Sequence, residues 1–320
     1  MALATVHSAQ EWLARFDPSR KASVVTIGNF DGVHLGHQRI LAGVVERARA
    51  TDLMAAVLTF FPHPSRILRP EAAPALLSTL PQRLAAFEAA GMDAALVLKF
   101  DAELAKVSAE DFARVYLVET LNARAVMIGG NFRFGHRQAG DVILLEELGR
   151  QQNFEVHVVP PVVTDGVVVS SSAIRQTLGE GRVEDAARLL GRPFALEGEI
   201  RPGTGQGRKL IVPTLNLTTE QECLPKSGVY ATQTVVEGKK YYSATNIGVR
   251  PTFDGKRLTI ESHLFDFSRD LTSGPMKVCF HTRLRDEQKF SGPQALKDQV
   301  LRDIEQAKEY FRMMGTTKKL

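Results

Sequence analysis

The chain contains little cysteine. Its 320 residues include only Cys223 and Cys279, which stand alone, without the paired spacing of a zinc site. Two isolated cysteines also argue against the disulfide framework that holds many small secreted domains together. We therefore expect a protein of the reducing cytoplasm.

Long apolar runs are absent as well. No stretch approaches the roughly eighteen consecutive apolar residues that indicate a membrane-spanning helix. The N-terminal residues 1–10 lack the basic flank and apolar run of a secretory signal. The composition, 44% hydrophobic and 24% charged, is that of a soluble globular protein, and the length predicts two domains.

The net charge of +4 is unevenly distributed. Residues 1–190 contain 19 basic and 21 acidic side chains, a balance of −2, and the remaining residues contain 21 and 15, a balance of +6. A basic second half can attract nucleic acid, a membrane surface or phosphorylated small molecules. Charge alone does not choose among these partners.

The first half alternates between strand-like and helix-like segments. Strands are predicted at residues 23–28, 55–60, 94–99, 125–128 and 155–159, and helices at residues 37–50, 81–91, 108–121 and 141–152. This alternation predicts a parallel sheet covered on both faces by helices. Such sheets bind ligands beyond the carboxyl ends of their strands, here residues 28–37, 60–64 and 129–135.

The second half has a different pattern. From residue 194 onward, short strand-like segments alternate with turn residues, and Glu237-Gly238 has the form of a hairpin turn. This pattern favours an antiparallel barrel or sandwich, followed by a helix over residues 293–314. We place the domain boundary near residue 185, which gives domains 1–185 and 186–320.

A glycine-rich segment, GNFDGVHLGH, follows the first predicted strand at residues 28–37. His34 and His37 stand three residues apart, and Gly36 between them allows the backbone to approach a ligand closely. At a helix N-terminus, imidazoles and free N–H groups together form a site for phosphate. An isolated pair of this kind usually means a capping and a core histidine, but the glycine-rich strand end favours phosphate binding.

Four motifs of this half resemble those of bacterial bifunctional riboflavin kinase/FAD synthetases. The first contains the HxGH signature of adenylyl- and cytidylyltransferases. The others are TFFPHP at residues 59–64, GGNFRFG at residues 129–135 and VSSSAIR at residues 169–175. The resemblance implies a Rossmann-like α/β/α nucleotidyltransferase domain that transfers an adenylyl group from ATP to FMN and releases pyrophosphate.

The resemblance also implies roles for individual residues. His34, His37 and Arg175 are expected to be catalytic, since they can stabilise the phosphate charge of the transition state. Nucleotide and flavin contacts are expected from the loop residues Gly28, Phe30, Asp31 and Gly36, from Phe60, Asn131 and Phe134, and from Ser170, Ser171 and Ser172. Taken alone, the serine run is typical of a helix N-cap and the phenylalanines are typical of a core.

The second half contains a further glycine-rich stretch. Residues 203–209 read GTGQGRK, and residues 210–217 read LIVPTLNL. A Walker A loop is excluded because no GK[ST] follows at the required spacing, and a glycine-rich hairpin by itself is usually a turn. The glycines nevertheless leave room for backbone amides to face phosphates, and Arg208 and Lys209 add positive charge.

The same family resemblance extends over this half through PTLN at residues 213–216, NIGVRPTF at 246–253, ESH at 261–263 and RDEQKF at 285–290. It implies a small antiparallel β-barrel kinase domain with a C-terminal helix. It implies Mg²⁺ ligands at Thr214 and Asn216, whose oxygens suit this ion, and Glu261 as general base. Further ligand contacts are implied for Gly203, Gly207, Arg208, Lys209, Asn246 and Arg285, whereas His263 is expected to be structural.

Three segments depart from the kinase pattern. Ile211-Val212 replaces the usual Gly-Phe, Leu215 replaces an alanine, and DLTSGPM at residues 270–276 replaces DLYGK. A β-branched isoleucine does not adopt the positive φ of glycine at low cost, so we expect a phosphate loop of different shape. Thr214, Asn216 and Glu261 are retained.

We therefore predict a cytoplasmic enzyme that phosphorylates riboflavin to FMN and adenylylates FMN to FAD, with Mg²⁺ and ATP. Its partners are small molecules, not nucleic acid or membrane, and it is a monomer or weak homo-oligomer. One alternative keeps the transferase but gives it another phosphate acceptor, such as a pantetheine or glycerol phosphate. Another makes the basic barrel a nucleic-acid-binding module, although exposed aromatic residues do not alternate with its basic residues.

Overall fold

The computed structural model describes residues 2–16, 21–202, 212–252 and 255–317. Packing divides the chain into two compact units, Met1–Ser171 and Ser172–Leu320. This division lies ahead of the domain boundary predicted near residue 185, which stays a prediction.

The first unit contains a six-stranded sheet in the order β1-β4-β3-β2-β5-β6, in which every pair of neighbours is parallel. Its strands are β1 (Ala4–Val6), β2 (Ser23–Ile27), β3 (Met54–Phe61), β4 (Ala94–Lys99), β5 (Ala123–Gly129) and β6 (Glu155–Val159). A short hairpin, β7 (Val163–Thr164) with β8 (Val167–Val168), follows the sheet. The strand–helix alternation of the sequence is confirmed.

Four of the connecting helices of this unit begin within two residues of a predicted helix, and the short first and third helices were not predicted. The helices are α1 (Ala9–Arg15), α2 (Leu35–Ala50), α3 (Pro64–Leu68), α4 (Leu80–Ala89), α5 (Ala109–Phe112) and α6 (Val142–Gln152). Short 3₁₀ turns lie at Pro70–Ala72, Leu104–Lys106 and His136–Gln138. Serine, threonine and aspartate caps begin several of these helices, as in the capping box of Thr79 and Gln82 at α4.

Both faces of the sheet are buried. On one face, Val25 packs in a core with Trp12 of α1 and Leu145 of α6. On the other face, Val24 packs with Leu41 of α2 and Phe87 of α4. Because neighbouring strand residues point to opposite faces, the apolar run of β2 supplies both cores, and only the strand ends are left for a ligand.

The predicted helix over residues 108–121 differs from the observed one. After α5 the chain continues as a π-helix, Ala113–Thr120. The Leu121 amide donates to the Tyr116 carbonyl at 3.0 Å, and the Thr120 hydroxyl donates to the Val115 carbonyl at 2.7 Å. The first of these is a backbone bond, and its span of five residues defines the wider turn, which apolar periodicity alone does not distinguish from an α-helix.

The second unit begins at Ser172 within α7 (Ser171–Gly179). It then contains α8 (Val183–Leu190) and a closed antiparallel barrel in the order β10-β13-β12-β11-β14-β9. The strands are β9 (Phe194–Arg201), β10 (Leu215–Thr218), β11 (Gly228–Val236), β12 (Lys239–Thr252), β13 (Gly255–Leu264) and β14 (Pro275–Asp286). Glu237 and Gly238 have positive φ and form the predicted hairpin turn. The barrel fold is confirmed.

A chain of buried hydroxyl groups crosses the barrel interior. The Thr232 hydroxyl lies 2.8 Å from that of Ser243 and 2.6 Å from that of Thr245, which in turn lies 2.7 Å from the Ser262 hydroxyl. All four residues are fully buried. Each hydroxyl can donate one bond and accept others, so the chain satisfies these polar groups and fixes neighbouring strands against each other.

The C-terminal helix α9 (Pro293–Thr317) packs on the barrel. Phe311 stacks on Tyr242 of β12 with 4.1 Å between ring centroids. Arg285 of β14 donates Nε to Asp303 Oδ1 at 2.8 Å and Nη2 to Oδ2 at 2.7 Å. Although α9 has 25 residues, no helix in the described part of the chain is long and apolar enough to cross a membrane.

The Asp303→Asn variant tests how strongly this pair holds α9. The Arg285 and Asp303 side chains are 19% and 4% exposed, so the substitution leaves a largely buried guanidinium without its counter-charge. We expect a loss of about 3 kcal/mol from the free energy of unfolding, measured by denaturant titration. Asp298→Asn, at an exposed position of the same helix, is the matched control, and equal stability of the two variants would contradict the assignment.

Candidate active sites

The segment between β2 and α2 forms a sharply bent loop at the carboxyl edge of the sheet. Phe30, Gly32 and Val33 have φ values of 50°, 81° and 40°, in the left-handed region that is costly for the two larger residues. Phe30 and Val33 are 2% and 3% exposed and belong to the core. Their burial offsets the backbone strain and fixes the loop.

This loop places the two predicted catalytic histidines together. His34 is the N-cap of α2, and its Nδ1 accepts a hydrogen bond from the His37 amide at 3.3 Å. The two imidazole rings stack with 3.7 Å between their centroids and 16° between their planes. Because Nδ1 of His34 is an acceptor, the neutral ring carries its proton on Nε2 and has a donor there.

His37 is a neutral imidazole at neutral pH. Burial, and next the neighbouring charge of His34, hold the pKa of His37 well below its ordinary value. Its Nδ1 is buried and has no hydrogen-bond partner among the described residues. The stacked pair at the N-terminus of a 16-residue helix, with His37 held neutral beside His34, can therefore donate to phosphate oxygens.

The carboxylate of Asp31, predicted to contact ligand, ties the loop to the chain ahead of α4. It accepts from the amides of Leu77 and Ser78, each at 3.1 Å, and Asp31 is only 4% exposed. Its carbonyl accepts from the Ser171 hydroxyl at 2.9 Å. The structure thus gives Asp31 a loop-holding function and brings Ser171 to the histidine loop.

Two glycines of the motif allow close approach of other groups. A Cβ on Gly36 would lie 3.2 Å from the His34 ring and 3.8 Å from the Val169 carbonyl, just before the serine run. Gly28 donates its amide to Leu58 of the neighbouring strand at 3.1 Å. Ser170 lies between Val169 and Ser171, whereas Ser172 and Arg175 lie in α7 and belong to the second unit. A shared site for these residues and the histidines stays a prediction.

The predicted flavin-side residues differ in exposure. Phe134 is 6% exposed and belongs to the core, while Asn131 is exposed and Phe60 is half-buried. Phe132 is also half-buried, and it stacks on Phe134 with 5.4 Å between centroids. The core function that the sequence allowed for these phenylalanines therefore applies to Phe134, and more ring surface is accessible on Phe60 and Phe132.

Arg83 of α4 was not identified from the sequence. It is 2% exposed, and its Nη1 donates to the carbonyls of Asn29 at 2.8 Å and Phe60 at 3.3 Å. Burial lowers its pKa, and the attraction of Asp31 opposes that shift. The sequence did contain one indication of its importance. Arg83 stands four residues before the apolar Phe87, which places a charge on the apolar face of the helix.

In the barrel, strand register brings three predicted residues together. Asn216 of β10 is the partner of Glu261 of β13, and Glu261 is the partner of Asn246 of β12 on its other side. All three are half-buried, and their neighbours Leu215, Ser262 and Thr245 are buried in the interior. The carboxylate therefore lies between two carboxamide residues in one row across three strands.

His263 connects this row to the preceding motif. Its Nδ1 lies 2.8 Å from the Pro213 carbonyl. A carbonyl only accepts, so the imidazole donates from Nδ1 and holds the segment that carries Thr214. This contact gives His263 the structural function expected from the sequence.

Arg285 differs from expectation in its contacts. Two of its nitrogens bind Asp303, Nη1 donates to the Asp286 carbonyl at 2.9 Å, and the guanidinium lies 5.8 Å from the centre of the Phe290 ring. These contacts anchor α9, and ligand contact by Arg285 stays a prediction. Gly203, Gly207, Arg208 and Lys209 lie outside the described residues, as does Ile211.

The predicted Mg²⁺ ligands are Thr214 and Asn216, the second of which is the strand partner of Glu261. In the described ranges, no cluster of three or more histidine, cysteine, aspartate or glutamate side chains could hold an ion. Thr214 and Asn216 offer a hydroxyl and a carboxamide oxygen, neutral hard donors that fit Mg²⁺ when substrate phosphates and water supply the remaining ligands.

Two family models match the chain, one for each half. A model described as FAD synthetase matches residues 17–173, and one described as riboflavin kinase matches residues 190–311. The first match covers the three loops at residues 28–37, 60–64 and 129–135, and the second covers the row of Asn216, Asn246 and Glu261.

Relatives cover nearly the whole chain. Bifunctional riboflavin kinase/FMN adenylyltransferases from Escherichia coli (strain K12) and Pseudomonas fluorescens are 36% and 38% identical, over 93% and 91% of this chain and 95% and 94% of their own. The crystal structure of a protein described as a macrolide-efflux protein from Streptococcus pneumoniae has a TM-score of 0.84, at 28% identity over 96% of this chain and 99% of its own. The chain therefore belongs to the bifunctional riboflavin kinase/FMN adenylyltransferase family.

Proposed function

We propose that the barrel phosphorylates riboflavin to FMN and that the sheet unit adenylylates FMN to FAD, both with ATP as donor. The observation that carries the proposal is the stacked pair of His34 and His37 at the start of α2, at the carboxyl edge of a parallel sheet. The row of Asn216, Glu261 and Asn246 supports the kinase step in the same way.

Adenylyl transfer needs alignment and charge stabilisation more than it needs a base. An oxygen of the FMN phosphate attacks the α-phosphorus of ATP, a new P–O bond forms, and the bond to the leaving pyrophosphate breaks. His34 donates from Nε2 and His37 from its neutral ring to the phosphate oxygens as negative charge develops. Ser170, Ser171, Ser172 and Arg175 hold the pyrophosphate at the start of α7.

The flavin of FMN lies on the GGNFRFG side of the sheet edge in this proposal. The exposed carboxamide of Asn131 forms a polar contact, and the accessible face of Phe60 packs on the isoalloxazine ring. Phe134 supports this surface from the core below Phe132. Gly28, Phe30, Asp31 and Gly36 shape the loop that receives the nucleotide.

In the kinase step Glu261 is the general base. Its carboxylate accepts the proton of the riboflavin 5′-hydroxyl as that oxygen attacks the γ-phosphorus of ATP and ADP leaves. Thr214 and Asn216 would hold Mg²⁺, and Asn246 would contact the ligand from the other side of Glu261. When bound, Mg²⁺ neutralises charge on the phosphate oxygens.

We infer that the enzyme works in the cytoplasm on small molecules, with domains that divide near residue 185. Both cysteines are free thiols, which suits a reducing compartment. The basic surplus of the second half fits nucleotide phosphates. We propose a monomer or weak homo-oligomer that has no nucleic-acid or membrane partner.

A time course with purified protein, riboflavin, ATP and Mg²⁺ tests the proposal. FMN should appear first and FAD should follow, with separation by chromatography. The His37→Ala variant should stop at FMN, because one of the two phosphate donors is lost, with a decrease in the FAD rate of about 10²-fold or more. His157→Ala, a half-exposed position on β6, is the control, and undiminished FAD formation by His37→Ala would overturn the site.

The Glu261→Gln variant tests the kinase site separately. We expect FMN formation to fall by about 10²–10⁴-fold, because the carboxamide cannot accept the hydroxyl proton as a base. FAD formation from supplied FMN should be unchanged in the same preparation. Glu237→Gln in the exposed hairpin turn serves as control. A kinase rate equal to that of this control would exclude Glu261 as the base.

The pH dependence of FAD formation follows from the lowered pKa of His37. Its ring is neutral above the ordinary histidine value of about 6.5, so raising the pH removes no proton that the reaction uses. We expect kcat/KM for FMN to stay flat from about pH 7 to about pH 9. A decrease in kcat/KM at higher pH with an apparent pKa of about 7, present in the wild type and absent from His37→Gln, would show instead that a protonated His37 is required.

A further inference from the structure

The chain segment 77–83 holds the histidine loop from one side. The Asp31 carboxylate accepts from the Leu77 and Ser78 amides, and the Gly32 amide donates to the Ser78 hydroxyl at 2.9 Å. A Cβ on Gly32 would lie 2.8 Å from Leu77 Cδ1, so the two segments are in direct contact. The motif loop therefore depends on a segment that carries none of the motifs.

Arg83 extends this contact to the neighbouring strand. From its single Nη1 it reaches the Asn29 carbonyl after β2, and the Phe60 carbonyl and Thr59 hydroxyl on β3, the last two at 3.3 Å. These partners belong to the GNFDGVHLGH and TFFPHP motifs. One buried side chain thus joins the carboxyl ends of two adjacent parallel strands.

The helix that carries Arg83 does not need this guanidinium. The N-terminus of α4 is capped by Thr79 and Gln82 through a complete capping box. Asp31 attracts the guanidinium electrostatically, but Nε and Nη2 of Arg83 are buried and have no hydrogen-bond partner among the described residues. All three hydrogen bonds of Arg83 use one atom, Nη1, so they offset only part of the desolvation cost of burying the whole cation.

We propose that Arg83 is a positioning residue for adenylyl transfer. By binding the Asn29 and Phe60 carbonyls, it sets the distance between the ends of β2 and β3. It thereby holds the loop before α2 in the position from which His34 and His37 contact the phosphates. This inference rests on the proposed adenylyltransferase function of the first unit, and the kinase step of the barrel does not depend on it.

The test compares Arg83→Met, Arg83→Lys and Arg124→Met for FAD formation from FMN and ATP, with kcat and KM measured separately. Arg124 is exposed at the beginning of β5 and is the matched control. We expect Arg83→Met to lower kcat by about 10²-fold, because a small displacement of the histidines misaligns the reacting groups. KM should change by less than about threefold, since the binding contacts remain.

Arg83→Lys should recover part of kcat, because the ammonium group retains the charge and a donor for one carbonyl. A residue that only supports the fold would change the yield and the unfolding temperature but not kcat per folded molecule. Equal kcat for Arg83→Met and Arg124→Met, or a rise in KM alone, would overturn the inference. If wild-type protein makes no FAD, the proposed function itself fails.

Ser78→Ala serves as the second variant if Arg83→Met does not fold. It removes the hydroxyl that accepts from Gly32 and donates to Asp31 at 3.3 Å, but it leaves the guanidinium in place. We expect kcat for FAD formation to fall about tenfold with FMN formation from riboflavin unchanged. An unchanged kcat in this folded variant would overturn the inference that segment 77–83 positions the loop.

Discussion

The bent loop after β2 is the constraint on which the proposed adenylyltransferase site depends. Two large residues, Phe30 and Val33, have the left-handed backbone conformation that costs energy for any residue with a Cβ. Their burial in the core and the bonds of Asp31 to the segment before α4 offset that cost. In this conformation the loop places His34 as the cap of α2 and His37 in a stack on it.

The proposed kinase site is built on a different principle. Antiparallel pairing alternates buried and accessible residues, so the register that buries Leu215, Ser262 and Thr245 necessarily places Asn216, Glu261 and Asn246 side by side on the other face. The hydroxyl chain inside the barrel then links β11, β12 and β13. A rigid polar interior thereby determines the spacing of the groups outside it.

Much of the fold was predictable because its periodicities are strong. The buried run of β2 and the alternation of strands and helices predict the parallel sheet, and the Glu237-Gly238 turn predicts a hairpin of the barrel. Less predictable was the π-helix after Phe112, whose i to i−5 bonds depend on packing and not on composition. Arg285 was a motif residue in sequence, yet its fork binds Asp303, which lies 18 residues further along the chain.

The sequence by itself determined the two fold classes, the carboxyl edge of the sheet as a ligand site, and the residue types that each reaction requires. Those features depend on local periodicity and on short motifs, which can be identified in the sequence alone. Tertiary structure decided the neutral state of His37, the accessible phenylalanine faces and the bridge made by Arg83. Each of these three features depends on burial and on contacts between distant segments. The spacing of neighbouring residues encodes neither the burial nor the contacts.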